Sequence, residues 1–130
     1  MGKFVLYADD DVDDRACVQE TCSRLGASLA VSFLQNGQEV LDFLQPLSTA
    51  EMPALIVLDL NMPKLDGRQT LKRLKGHPRF GHIPVAIVST SSSNLDRETC
   101  RYLGADLYLS KPHTFTAWQT ILQQLIPFVG

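Results

Sequence analysis

The sequence predicts an α/β fold, with one open parallel sheet covered by helices on both faces. Three observations predict it. Five short apolar runs recur at fairly even spacing, at residues 4–8, 29–34, 54–58, 83–88 and 107–109. The third and fourth are apolar on both faces, which suits strands buried between two helical layers. Segments of helical periodicity separate the runs, so strand and helix alternate strictly, as in βαβ units with right-handed crossovers.

In chain order, strand one (4–8) is followed by a helix capped by Asp11 or Asp13 and stopped at Gly26. Strand two (29–34) leads to Asn36-Gly37, which opens a helix carrying Val40, Leu41, Phe43 and Leu44 and ending near Pro46. Strand three (54–58) precedes a helix over 66–76 with Leu71 and Leu74 inward, and strand four (83–88) precedes one over 93–103 that Gly104 stops. After strand five (107–109), Phe115, Trp118, Leu122 and Leu125 fall at i, i+3, i+7 and i+10, followed by Ile126, Phe128 and Val129. That stripe reads mainly as core; its other reading exposes Trp118 in a dimer or partner face. Five strands and five helices match a flavodoxin-like, doubly wound sheet in the order 2-1-3-4-5, with its site beyond the C-terminal strand ends.

Composition narrows the function classes. The 130 residues predict a single domain, 1–130. Fourteen acids against twelve bases give a net charge of −2, with no general attraction to nucleic acid or an anionic membrane. No apolar run approaches the ~18 residues of a membrane span, and the N-terminus carries no secretory pattern. Cys17, Cys22 and Cys100 form no C-x-x-C pair and read as reduced residues of a cytoplasmic protein. The charges are unevenly placed, however. Five acids (Asp9, Asp10, Asp11, Asp13, Asp14) fall within six residues, and six bases (Lys64, Arg68, Lys72, Arg73, Lys75, Arg79) lie between 64 and 79. The bases lack interleaved aromatics and read as a solvated helix face. His77, His82 and His113 read as surface residues.

The strand ends carry the chemistry. Asp9-Asp10 follows strand one, Asp59 follows strand three, Ser89-Thr90 ends strand four, and Lys111-Pro112 follows strand five. Strands one and three are neighbours in the 2-1-3-4-5 order, so three carboxylates converge with too little positive charge to balance them. Such a cluster either raises its own pKa values or holds a cation. Hard oxygen ligands with open positions favour Mg2+, which takes further ligands from water and phosphate. Lys111 adds a mobile positive charge and Ser89 a hydroxyl donor where an anion arrives. The set reads as a phosphoryl-transfer site with a carboxylate nucleophile.

Two competing readings use the same acids. Asp9, Asp11, Asp13 and Glu20 fall at positions 1, 3, 5 and 12 of an EF-hand loop. Position 6, however, is Asp14 where the turn requires Gly, and a strand precedes the loop instead of a helix. A haloacid-dehalogenase-type phosphatase also uses Asp-x-Asp after its first strand. This chain is short for that family, has no cap segment and places its best nucleophile after strand three.

Together these residues resemble a response regulator receiver domain, the phosphorylated half of a bacterial two-component system. The resemblance covers essentially the full length. It rests on Asp9-Asp10, the run Leu58-Asp59-Leu60-Asn61-Met62-Pro63 with Gly67, then Ser89 and Lys111-Pro112. Thirty residues separate Asp59 from Ser89, and fifty-two separate it from Lys111. The resemblance implies that Asp59 accepts a phosphoryl group from a sensor histidine kinase or a small phosphodonor. Asp9, Asp10, Asp59 and the main-chain carbonyl of Asn61 would hold Mg2+. Lys111 would pair with a phosphoryl oxygen, Ser89 would turn its hydroxyl toward the same group, and Tyr108 occupies the aromatic switch position. A cis peptide is expected before Pro112. Asn61 and Ser91 stand where the family tunes hydrolysis, and Asp11, Asp13 and Asp14 read as a solvated helix N-terminus.

Output is then expected through the face of helix four, strand five and helix five, or by relay of the phosphate to a phosphotransfer partner. No effector segment follows helix five, which implies a stand-alone, cytoplasmic regulator acting through a downstream protein, with no nucleic-acid or membrane partner and a homodimer left open. The segment His77-Pro78-Arg79-Phe80-Gly81-His82-Ile83-Pro84 and the run Ser89-Thr90-Ser91 are similar to single-domain regulators associated with phytochrome-type kinases. Two departures are modest: Ala8 replaces a larger aliphatic residue before the acid pair, and Ser89 replaces Thr. The alternative is a receiver fold used as a phosphorylation-independent interaction scaffold, which the intact Asp9, Asp10, Asp59, Ser89 and Lys111 set disfavours.

Overall fold

The computed structural model describes residues 4–24, 30–91 and 93–129. The expected helix stop at Gly26 and strand start at Leu29 lie outside them. Five parallel strands, β1 (Phe4–Ala8), β2 (Ala30–Leu34), β3 (Leu55–Leu58), β4 (Val85–Ser89) and β5 (Leu107–Ser110), form one sheet in the order β2-β1-β3-β4-β5. Helices α1 (Val12–Arg24), α2 (Gly37–Leu44), α3 (Gly67–Gly76), α4 (Asn94–Tyr102) and α5 (Phe115–Val129) connect and follow them. A short 3-10 turn over Thr49–Glu51, absent from the sequence expectation, leads into β3. This is the flavodoxin-like arrangement.

The period-two alternation of each strand divides the core into two layers. Leu6, Ala8, Ile56, Leu58, Val85 and Ile87 pack against Val40 and Leu44 of α2, Leu71 and Leu74 of α3, and Cys100 of α4. Val5, Tyr7, Leu55, Val57, Ala86 and Val88 pack against Val18 and Cys22 of α1 and Trp118, Ile121, Leu122 and Leu125 of α5. Trp118 is buried in this second layer, so the exposed reading of its face does not hold. Its place on the apolar stripe turns it inward with Ile121, Leu122 and Leu125.

Local chemistry sets the helix starts. Asp11 Oδ1 accepts from the amides of Asp13 and Asp14 at 2.9 and 3.1 Å, so Asp11 and not Asp13 is the cap of α1. Asn36 caps α2, Asp66 and Gln69 form a capping box on α3, and Ser93 caps α4. Gly104 ends α4 at φ 106°, where a side chain would be strained.

The basic run is only partly a solvated face. Lys64, Lys72 and Arg73 are exposed. Lys75 instead donates to the Ile83 carbonyl at 2.9 Å and pairs with Asp106 at 3.3 Å. Arg68 pairs with Asp96, and Arg79 donates to the carbonyls of Gln45 and Leu47. Loop carbonyls and acids beyond α3 come within reach of these three long side chains, which tie α3 and its following loop to α4, β4, β5 and the end of α2. His77 is likewise not a bare surface residue; its ring stacks on Phe80 with centroids 4.0 Å apart. Among the described residues, no helix is long and apolar enough to cross a membrane.

Candidate functional site

The strand register brings the acids together. Ala8 lies opposite Leu58, and Leu58 opposite Ile87, so Asp9 and Asp59 leave adjacent strands side by side at the same edge. The ladder continues one step past the strands, with the Asp9 amide donating to the Leu34 carbonyl and the Asp59 amide to the Ala8 carbonyl, both at 3.0 Å. Two further features fix the surrounding loops. Arg15 Nη1 donates to the Asp9 carbonyl at 2.9 Å, holding α1 against the end of β1. Gly67 starts α3 so close beneath Asp59 that a Cβ there would stand 2.4 Å from the Asp59 carbonyl oxygen, which excludes any side chain.

Asp9 and Asp59 are buried and Asp10 is exposed; one carboxylate oxygen from each lies within 4.8 Å of the other two. Lys111 enters from the end of β5, its amide donating to the Ser89 carbonyl at 2.7 Å. Its Nζ stands 2.7 Å from Asp14 Oδ2, 2.9 Å from Asp9 Oδ2 and 3.3 Å from Asp59 Oδ2. The ammonium is aligned for hydrogen bonds to Asp14 and Asp59 but not to Asp9. Asp9 Oδ1 accepts from the Asp11 amide at 2.9 Å, while its buried Oδ2 accepts no hydrogen bond. A buried carboxylate oxygen that accepts no hydrogen bond, and whose neighbouring ammonium is shared with two other carboxylates, fits a hard divalent cation.

The electrostatics are those of an under-neutralised cluster. Burial, then the Asp9 charge, push the Asp59 carboxyl up to about 6, against the opposing pull of Lys111 and the Asn61 amide. Burial also raises Asp9, opposed by the Asp11 amide and Lys111. Burial works against the Lys111 ammonium, but Asp14, Asp9 and Asp59 outweigh it and hold the lysine firmly protonated.

The structure therefore brings together Asp9, Asp10, Asp59 and Lys111. Asn61 touches the site through its amide, which donates to Asp59 Oδ1 at 3.3 Å. Ser89 ends β4, fully buried, with its Oγ accepting from the Ser91 amide at 3.0 Å. Tyr108 Oη donates to the Ser91 carbonyl at 3.0 Å, and the Arg97 guanidinium sits 4.8 Å from the centroid of its ring. Ser91 Oγ donates to Asp96 Oδ2 at 2.6 Å, and Arg68 of α3 holds the other Asp96 oxygen. Ser89 and Tyr108 thus meet through Ser91, a chain that no sequence spacing announced. Asp14 is the other omission. Read as a solvated cap, it is the nearest carboxylate to Lys111.

One expectation fails here, and one competing reading already set aside is excluded. The peptide before Pro112 is trans, like every other among the described residues. The trans form is the lower in energy, and Lys111 is already held by its amide bond and its carboxylate partners. The EF-hand reading fails because α1 begins at Val12, inside the proposed loop, and Glu20 lies on that helix paired with Arg24 at 3.2 Å.

The family profile described as response regulator receiver domain matches residues 5–123. The chain belongs to the response regulator receiver family. It is similar to response regulator Rcp1 of Synechocystis sp., with 34% identity over 84% of this chain and 76% of Rcp1. The crystal structure of the phosphorylated cyanobacterial phytochrome response regulator RcpA matches with TM-score 0.88 and 28% identity, over 99% of this chain and 94% of that one. The Mn2+-bound form of Rcp1 matches with TM-score 0.84 and 31% identity, over 97% and 93%. Receiver domains are the phosphoacceptor signalling domains of two-component systems, and they bind a divalent metal in an acidic pocket of this kind.

Proposed function

We propose that this receiver domain takes a phosphoryl group onto Asp59 from a sensor histidine kinase and signals by protein contact. The observation that carries the reading is the meeting of Asp59 with Asp9, Asp10 and Lys111 in one largely buried pocket at the strand ends. A carboxylate oxygen of Asp59 attacks phosphorus, the bond from phosphorus to the donor nitrogen or oxygen breaks, and the donor leaves with that electron pair. The aspartyl phosphate is a mixed anhydride. Asp9, Asp10, Asp59 and the Asn61 carbonyl would hold Mg2+, which when bound offsets charge on the phosphoryl oxygens. Lys111 supplies the second positive charge, and its position at the pocket wall makes catalysis a matter of placement and electrostatics.

Ser89 then exchanges its bond from the Ser91 amide for one to the phosphoryl group. Tyr108, linked to Ser91, responds to that move, and the face of α4, β5 and α5 changes its population of states. The likeness to the phytochrome response regulator RcpA supports a phytochrome-type kinase as the phosphodonor, and a cytoplasmic location with a downstream protein or phosphotransfer partner belongs to the same reading. Incubation with Mg2+ and acetyl phosphate should add one phosphoryl group, read by mass spectrometry, and Asp59→Asn should abolish it. Equal labelling of that variant, or none of the wild type, overturns the assignment.

A further inference from the structure

We infer that Asp14 is a positioning residue that ties Lys111 to α1 and competes for it with the phosphoryl group on Asp59. The inference rests on Asp59 being the phosphoacceptor. Lys111 Nζ approaches Asp14 more closely than either other carboxylate, at 2.7 Å against 2.9 and 3.3 Å. The lysine side chain is only 8% exposed and that of Asp14 24%, so water screens the pair less than a surface ion pair.

Asp14 is also held in place. Its amide donates to Asp11 Oδ1 at 3.1 Å in the first turn of α1, and the Arg15 bond to the Asp9 carbonyl anchors that turn beside the pocket. Asp14 is not among the three acids whose oxygens converge on a common point for a cation. Its contact is with the lysine, so its effect on Asp59 is transmitted through Lys111 and through charge.

Formal charge shows the direction. Four carboxylates (Asp9, Asp10, Asp14, Asp59) and one ammonium give the pocket −3. A divalent cation leaves it at −1, so the phosphoryl dianion enters a pocket that is still negative. With a neutral side chain at position 14 the same sum is zero. The Lys111 ammonium also gives up or shares its shortest contact when it turns to a phosphoryl oxygen. Both effects favour the unphosphorylated state. Asp14 therefore weakens the hold on the phosphoryl group and keeps resting occupancy low.

The test is titration of wild type, Asp14→Asn, Asp14→Ser and Asp14→Glu with beryllium fluoride, a phosphoryl mimic, at saturating Mg2+, followed by calorimetry. Asp14→Asn and Asp14→Ser should bind about fivefold more tightly than wild type, the upper range for a partly screened pair. Asp14→Glu, which keeps the charge, should stay near wild type. A merely structural role gives a different pattern, with the larger Glu perturbing more than the isosteric Asn. Unchanged or weaker binding by both neutral variants overturns the inference. If the wild type binds no more beryllium fluoride than Asp59→Asn, the fault lies in the phosphoacceptor assignment itself.

Discussion

Two polar clusters lie near one another at the C-terminal edge of the sheet, and they treat an aspartate in opposite ways. In the carboxylate pocket, Asp59 is pushed up to about 6 by burial and by Asp9. In the cluster after β4, Asp96 is held below the usual carboxylate range by its bonds from Ser91 and Arg68. Asp96 has one donor on each oxygen. In the pocket one lysine serves three carboxylates, and Asp9 Oδ2 is left without a hydrogen bond. The first pattern stores unbalanced charge and suits a place that must bind a cation and then an anion. The second is satisfied and suits a latch, holding one arrangement of the loop until something displaces it.

The sharpest way to break this contrast is to remove the Lys111 ammonium that the three carboxylates share. Lys111→Ala leaves Asp9 and Asp59 buried with no ammonium beside them. In EDTA at pH 7 it should cost about 3 kcal/mol of stability by urea denaturation. The loss should shrink as pH falls toward and below about 6, because without Lys111 the acids protonate at a higher pH than in wild type. A variant as stable as wild type at pH 7 would mean that the pocket is better solvated than its burial indicates.

A somewhat smaller effect comes from the titration of Asp59. Its folded pKa, about 6, lies above its ordinary 3.8, so between those values the folded state binds more protons than the unfolded one. The derivative of unfolding free energy with pH is then negative. The penalty is fully present above pH 6 and is relieved as pH falls toward 4. Wild type without metal should therefore lose about 2 kcal/mol of stability between pH 4 and pH 7 from this group. Asp59→Asn should flatten that slope, and saturating Mg2+ should flatten it too by holding the carboxylate ionised. An unchanged slope in Asp59→Asn would assign the effect to Asp9.

The contrast also shows which parts of the molecule a sequence can reveal. Strand order and the alignment of Ala8 with Leu58 follow from apolar runs and βαβ geometry, so the convergence of Asp9 and Asp59 was predictable. Asp14 was not, because the direction of a side chain in the first turn of a helix depends on how that helix docks. Arg68, Lys75 and Arg79 were misread for a related reason: long basic side chains take partners 34 or fewer residues away that periodicity cannot show. The start of β4 was placed two residues early because Pro84 lacks the amide a ladder needs, and the strand begins at Val85.

The smallest predicted effect tests whether the two clusters are independent. Asp96→Ala removes the acceptor that Ser91 Oγ and Arg68 share. The Ser93–Asp96 cap bond, 3.3 Å long, uses only the Asp96 amide and survives, so α4 should keep its start. The loop between β4 and α4 should then open more often, and amides at 91 and 93 should exchange roughly tenfold faster than in wild type. The pocket lies on the other side of Ser89, whose bond from the Ser91 amide does not involve Asp96. The Asp59 titration, followed by carboxyl NMR, should therefore stay where it was. A matching shift in that titration would show that the satisfied latch already biases the unbalanced pocket before any phosphoryl group arrives, and that Ser91 carries the bias through the Ser89 hydroxyl.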